Sequence, residues 1–205
     1  MTAVDEAGQC ATQRDLGRGG SATLPFGDLF GKGVARGIDL NDEFTPGQDV
    51  LNDLKCGRTL PDGDGTWCGQ PPPWTSLDWP GMVAAFDATR IRRVTVSTAP
   101  EDGSAGAAPG RTVGYVEIQP RLGDPRGVAA FLELAFSSCA GAAPGSVGGI
   151  KVMAGSVPSS RSSNGEALAV AFLARTRFAW VILDGRDWTK AARDRALNAI
   201  AAHLR

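Results

Sequence analysis

Four cysteines in a chain with a single histidine set the tightest limit on what this sequence can become. Cys10, Cys56, Cys68 and Cys139 form an even set with no C-x-x-C pair, and His203 is the sole imidazole. Zinc fingers, haem attachment and thioredoxin-type redox motifs need closely spaced Cys or several His, so none of them fits. Two disulfides account for all four thiols, and disulfides persist outside the reducing cytoplasm. The competing reading is four buried free thiols, because cysteine packs well as a small hydrophobe. The local pair, Cys56 with Cys68, would close the turn at Pro61-Asp-Gly-Asp-Gly, and Cys10 with Cys139 would then tie the N-terminus to the core. The protein is on this reading extracytoplasmic, secreted or membrane-anchored through a segment outside the sequence. Met1-Thr-Ala-Val-Asp-Glu has no apolar run of the signal-peptide kind. Ala7-Gly8-Gln9 before Cys10 is only faintly lipoprotein-like, since no apolar stretch precedes it.

A chain of 205 residues, 42% hydrophobic and 21% charged, has the composition of one globular domain rather than of a disordered one. Residues 1–45 are Gly-rich and weakly periodic, and read as an irregular N-terminal extension; residues 46–205 read as the core of a single domain. The net charge of −1 supplies no field to recruit nucleic acid or an anionic membrane. Residues 1–80 hold twelve acids against six bases, and residues 81–205 ten acids against fifteen bases. An acidic first part packing on a basic second part is the simplest account of that split. The longest apolar stretches, Ala167–Ala174 and Phe178–Leu183, are separated by Arg175-Thr176-Arg177 and are too short to span a bilayer.

Along the chain, Thr45-Pro46-Gly47-Gln48 has the pattern of a helix start, with Val50, Leu51 and Leu54 as its apolar stripe and Gly57 as its end. Ile91–Thr98 and Thr112–Gln119 are β-rich and read as a strand pair joined by a small-residue loop. Asp124-Pro125 opens a second helix with Val128, Phe131, Leu132, Ala135, Phe136 and Cys139 on one face, ending at Gly141. Ile150–Met153 reads as a short strand. Leu168, Val170 and Phe172 alternate with Ala167, Ala169 and Ala171, so a strand wins here over the helix propensity of Ala and Leu. Phe178–Leu183 is its hairpin partner. Asp187 caps a last helix whose inner face is Leu197, Ile200, Ala201 and Leu204. The order from residue 91, β-β-α-β-β-β-α, predicts an α+β fold, an antiparallel sheet with helices packed on one side.

Motifs for chemistry are weak. Asp62-Gly-Asp64-Gly-Thr66 matches the D-x-D-x-T of phosphatases that use an aspartyl nucleophile, but Arg58-Thr59-Leu60-Pro61 is no buried strand, and Asp-Gly marks a turn. Asp39-x-Asn41-x-Glu43 begins like a calcium loop, yet Phe44 stands where glycine is needed and Val50 where the bidentate Glu belongs. Every Ser-His-Asp or Cys-His arrangement would have to use His203, placed by sequence in a terminal helical turn that can fray, so His203 is expected to be dispensable. No P-loop or dinucleotide fingerprint occurs at a strand–helix junction. No catalytic residue, metal site or cofactor is assigned.

The surface candidate is the segment that sets Trp67, Trp74 and Trp79 among Pro71, Pro72, Pro73 and Pro80. Consecutive prolines enforce an extended backbone, and rings held on it could stack on a sugar or a peptide. The bland alternative is that the rings cap the core. Arg175 and Arg177, with Arg90, Arg92 and Arg93, could face an anionic ligand or simply be solvated strand ends.

The last 125 residues resemble the extracellular sensor domains of actinobacterial Ser/Thr protein kinases and related small lipoproteins. The likeness lies in the helix ending in cysteine (Phe131–Cys139), the strand meander (Ile150–Leu183) and the closing helix (Asp187–Leu204). The resemblance implies an α+β domain with two disulfides and a ligand cleft, and no catalytic residues. The Gly-rich start and the Trp-Pro segment depart from that layout. The expected function is a non-enzymatic ligand-binding or sensor domain, peripheral to the cell envelope, with a small molecule, glycan or peptide as partner and no nucleic acid. The alternatives are a cell-envelope hydrolase using paired carboxylates and a structural module for protein interaction.

Overall fold

The stretch whose bulky residues alternate with alanine, Leu168 to Phe172, lies in one antiparallel sheet of eight strands. The computed structural model describes Leu29, Cys68, Gly110 and residues 36–39, 44–46, 89–98, 111–120, 125–186 and 188–205. Within these, the strands are β1 (Arg36–Asp39), β2 (Phe44–Pro46), β3 (Thr89–Thr98), β4 (Arg111–Pro120), β5 (Ala140–Val147), β6 (Ile150–Pro158), β7 (Glu166–Leu173) and β8 (Phe178–Gly185). Their order across the sheet is β1-β3-β4-β8-β7-β6-β5, with β2 also pairing with β3. Helix α1 (Pro125–Ser137) carries the chain from central β4 to the far edge at β5. The meander β5–β8 then returns, and β8 docks against β4 with Ala179 opposite Glu117. Helix α2 (Lys190–Leu204) closes the fold.

The helices lie on opposite faces of the sheet, which corrects the expectation that both pack on one side. Strand β7 shows why. Ala167, Ala169 and Ala171 belong to the apolar cluster built around α1, through Val128, Phe131, Leu132, Ala135 and Phe136. Val170 and Phe172 belong to a second cluster, built around α2 through Ala192, Ala196, Leu197, Ile200, Ala201 and Leu204. β8 divides the same way, Phe178 and Trp180 toward α1, Val181 and Leu183 toward α2. The alternation is small against large, not apolar against polar. Neither face can be left to water, so each takes a helix. The alanine face also lets the bulky Phe131 and Phe136 side chains pack closely on the strand.

Both helical faces match the sequence pattern, but their ends differ. Pro125 is the first residue of α1, as its fixed φ favours. The helix stops at Ser137 rather than near Gly141, and the Ser137 and Ser138 hydroxyls donate to the Leu134 and Ala135 carbonyls of its last turn, each at 2.7 Å. The cap of α2 is Thr189, not Asp187; its hydroxyl accepts from the Ala192 amide at 3.2 Å. Ala140–Val147, too rich in Gly and Pro to read as β, is an edge strand. Pro144 is tolerated there because an edge strand needs only half its ladder. Thr45 and Pro46, expected to open a helix as its cap and first residue, belong instead to strand β2, with Pro46 opposite Arg90. The continuation to Gly57 lies outside the described residues.

One disulfide is found among the described residues, and it overturns both expected pairings. Cys68 bonds Cys139 across 71 residues, with the Cα atoms 5.0 Å apart. Both cysteines are buried in the α1 cluster. Closeness in sequence favoured Cys56 as the partner of Cys68, whereas burial beside the end of α1 brought Cys68 to Cys139. Cys10 and Cys56 lie outside the described residues. Gly155 on β6 permits the close approach of this bridge: a Cβ there would lie 2.7 Å from the Cys139 Cβ.

Candidate functional site

The one face of β4 that turns toward α2 changes character along its length. Val113 and Tyr115 enter the α2 cluster, and the next two positions on the same face are Glu117 and Gln119. Glu117 is 1% exposed, a carboxylate in the middle of a sheet. Such a group is stable only if its oxygens are paired, and here they are. The Tyr115 hydroxyl donates to Oε2 at 3.0 Å, and the Gln119 amide donates to Oε1 at 2.7 Å. His203 Nε2, from the last turn of α2, lies 3.0 Å from Oε2.

Burial by itself pushes the Glu117 carboxyl up. The hydrogen bonds from His203 and Gln119, the charge on His203 and the Tyr115 hydroxyl outweigh that and bring it from 4.5 down to about 2. Glu117 is therefore ionised at any ordinary pH. An ionised carboxylate only accepts hydrogen bonds, so the His203 Nε2 must carry the proton of the shared bond. The carboxylate thereby fixes the orientation of the imidazole, whose ring also stands edge-on to Tyr115 at 6.5 Å between centroids. A carboxylate held this low cannot act as a general acid near neutrality. What the arrangement does is hold the end of α2 against the sheet.

His203 thus occupies a different setting from the fraying terminal turn expected of it. Ile200, Ala201 and Leu204 around it are buried. Its main-chain oxygen also accepts from Arg177 Nη1 at 3.3 Å. Of the sequence candidates, Arg175 and Arg177 both stand exposed at the turn between β7 and β8. Arg177 serves the helix end; the bland reading of a hairpin turn suits both. On β3, Arg92 and Arg90 occupy the register positions opposite Glu117 and Gln119, and Arg93 is opposite Val116. Trp67, Trp74 and Trp79 lie outside the described residues, as do the acidic motif around Asp62 and, in the calcium-like one, Asn41 and Glu43.

No family model, curated protein or solved structure matches the chain.

Sequence reasoning missed Glu117 and its partners, although a signal was present. In Val113-Gly-Tyr-Val-Glu-Ile-Gln119, period two places Glu117 on the face that also carries Val113 and Tyr115. A carboxylate in that position demands donors. His203, three residues beyond Ile200 on the packed stripe of the last helix, is at the right spacing to offer one. Among the described residues no group of three or more His, Cys, Asp or Glu could hold a metal ion, and no helix is long and apolar enough to cross a membrane.

A second polar knot lies at the far end of the sheet. The Asp184 carboxylate accepts from the Ser159 hydroxyl and from the Gly185 amide, the latter at 2.6 Å. Trp188 Nε1 donates to the Asp184 carbonyl at 2.7 Å, and the Arg111 guanidinium sits 5.9 Å from the Trp188 ring centre. Ser159 in turn accepts the Arg161 and Ser162 amides and so shapes the loop between β6 and β7.

Proposed function

We propose that this chain is an extracytoplasmic ligand-binding domain of sensor type, without catalytic activity, in which the α+β core is a scaffold and the Trp-Pro segment makes the contact. The Cys68–Cys139 disulfide carries this reading. It joins the residue after Trp67, where the Trp-Pro segment starts, to the end of a buried core helix. A cross-link of that kind is stable in an oxidising compartment. Prolines next to the rings lower the entropy lost on docking. The layout resemblance to the extracellular sensor domains of actinobacterial Ser/Thr kinases points the same way, and with it the partner class of a glycan, peptide or small molecule at the cell envelope. The hydrolase alternative needs a carboxylic acid whose pKa is raised, by burial in an apolar pocket or by a neighbouring carboxylate. Glu117 instead is surrounded by donors and is lowered.

The test uses insoluble peptidoglycan as the probe. Co-sedimentation of the full chain is expected, and the Trp74→Ala/Trp79→Ala double variant should lose it without a change in thermal midpoint. A fall of roughly ten degrees or more in that midpoint would place the rings in the core, as deep aromatic truncation does, and would refute the contact role. Failure of the wild-type chain to sediment would refute the glycan as its ligand.

A further inference from the structure

We infer that Asn164-Gly165, in the loop between β6 and β7, is a site of spontaneous modification at which the Asn164 amide becomes a carboxylate through a cyclic imide. It is the one Asn-Gly pair in the sequence; Asn41 and Asn52 precede Asp, and Asn198 precedes Ala.

Three features of the loop suit that chemistry. Asn164 Oδ1 accepts from the Glu166 amide at 3.3 Å, an Asx turn that folds the side-chain carbonyl back over the intervening Gly165 nitrogen. The same oxygen accepts from the Ser162 hydroxyl at 2.6 Å. Two donors on one carbonyl oxygen polarise it and would stabilise the charge that develops there on attack, as an oxyanion hole does. Asn164 and Gly165 are both exposed, Gly165 has φ +77, and nothing lies within 4 Å of the place a Cβ would occupy, so water and base reach the loop and that side of the glycine is uncrowded. The opposing restraint is the hydrogen bond from the Gly165 amide to the Ser162 carbonyl, at 3.2 Å the long end of the range.

In the first step the Gly165 nitrogen loses its proton to solvent base and bonds to the Asn164 side-chain carbonyl carbon. The carbon–nitrogen bond of the side-chain amide breaks, and the nitrogen leaves as ammonia with a proton from water. Water then opens the imide at either carbonyl. One route leaves an ordinary aspartyl residue in place of the asparagine; the other gives a β-linked isoaspartyl residue with an extra atom in the main chain. Overall, amide and water become acid and ammonia. The isoaspartyl form lengthens a loop whose closing bond runs from the Ser159 amide to the Gly165 carbonyl at 2.9 Å. Ser159 is the residue that holds Asp184 on β8, so the change reaches the sheet.

The experiment is incubation of the folded, full chain at mildly alkaline pH, followed by tryptic mapping of the peptide from Ser162 to Arg175. Two new forms of equal mass are expected, each heavier than the parent by the difference between an acid and an amide and separated by chromatography. Asn198, whose Nδ2 donates to the Asp194 carbonyl at 2.7 Å inside α2, is the internal control. Asn164→Gln should abolish both forms, and Ser162→Ala should slow them. Conversion no faster than at Asn198 would overturn the inference, and so would a Ser162→Ala rate equal to that of the wild type.

Discussion

Replacing Glu117 by Gln tests the buried clasp because it keeps the shape and removes the charge. With Glu117 held at about 2 in the folded chain and near 4.5 when unfolded, the folded state binds the proton less readily. Stability from this group is therefore fully present above pH 4.5 and is lost as pH falls toward 2. At ~1.4 kcal/mol per pH unit the whole difference is about 3 kcal/mol, and about 2 kcal/mol of it disappears between pH 5 and pH 3. In Glu117→Gln the carbonyl oxygen can still accept from Tyr115 and His203, while its amide faces that of Gln119, which must turn to present oxygen. Exchange of charged for neutral hydrogen bonds in a buried site is expected to lower stability at pH 7 by roughly 1–3 kcal/mol. Urea unfolding of both proteins across pH 3 to 7 reads the two effects together. The wild-type curve should fall more steeply below pH 5, and the two should converge in acid. Curves that run parallel from pH 7 to pH 3 would refute the claim that Glu117 is ionised through the network.

His203→Ala removes one donor from a buried carboxylate and should destabilise the fold by about 1–3 kcal/mol in urea at pH 7; an unchanged midpoint would return His203 to the solvated helix end. Gly155→Ala puts a methyl 2.7 Å from the Cys139 Cβ, and overpacking of this kind is expected to cost about 1–3 kcal/mol, read as a lower thermal midpoint; wild-type stability would show that the strand can move away freely. Non-reducing peptide mapping should recover the peptides of Cys68 and Cys139 joined. Cys139→Ala should lower stability by about 4 kcal/mol, the chain-entropy value for a loop of this length. Free thiols at both positions would remove the main support for an oxidising compartment.

The amino-acid sequence by itself determined the elements whose periodicity is uninterrupted. The α1 stripe from Val128 to Phe136, the α2 stripe from Leu197 to Leu204 and the alternation within residues 166–174 need only local spacing, since 3.6 and 2 are properties of the backbone itself. The strands at residues 91–98, 112–119 and 178–183 were legible from their β-rich, apolar composition. Tertiary structure decided the rest. Which face of β7 meets which helix depends on where the chain crosses, so helices on two sides could not be read from one strand at a time. Ala140–Val147 has poor β propensity and is a strand because β6 offers it a ladder. Cysteine pairing depends on proximity in space, and the 71 residues between Cys68 and Cys139 conceal it. Glu117 and His203 are 86 positions apart. Only the packing of α2 on β4 turns a lone glutamate and a lone histidine into one hydrogen-bonded pair, because a buried carboxylate must find its donors wherever the fold brings them.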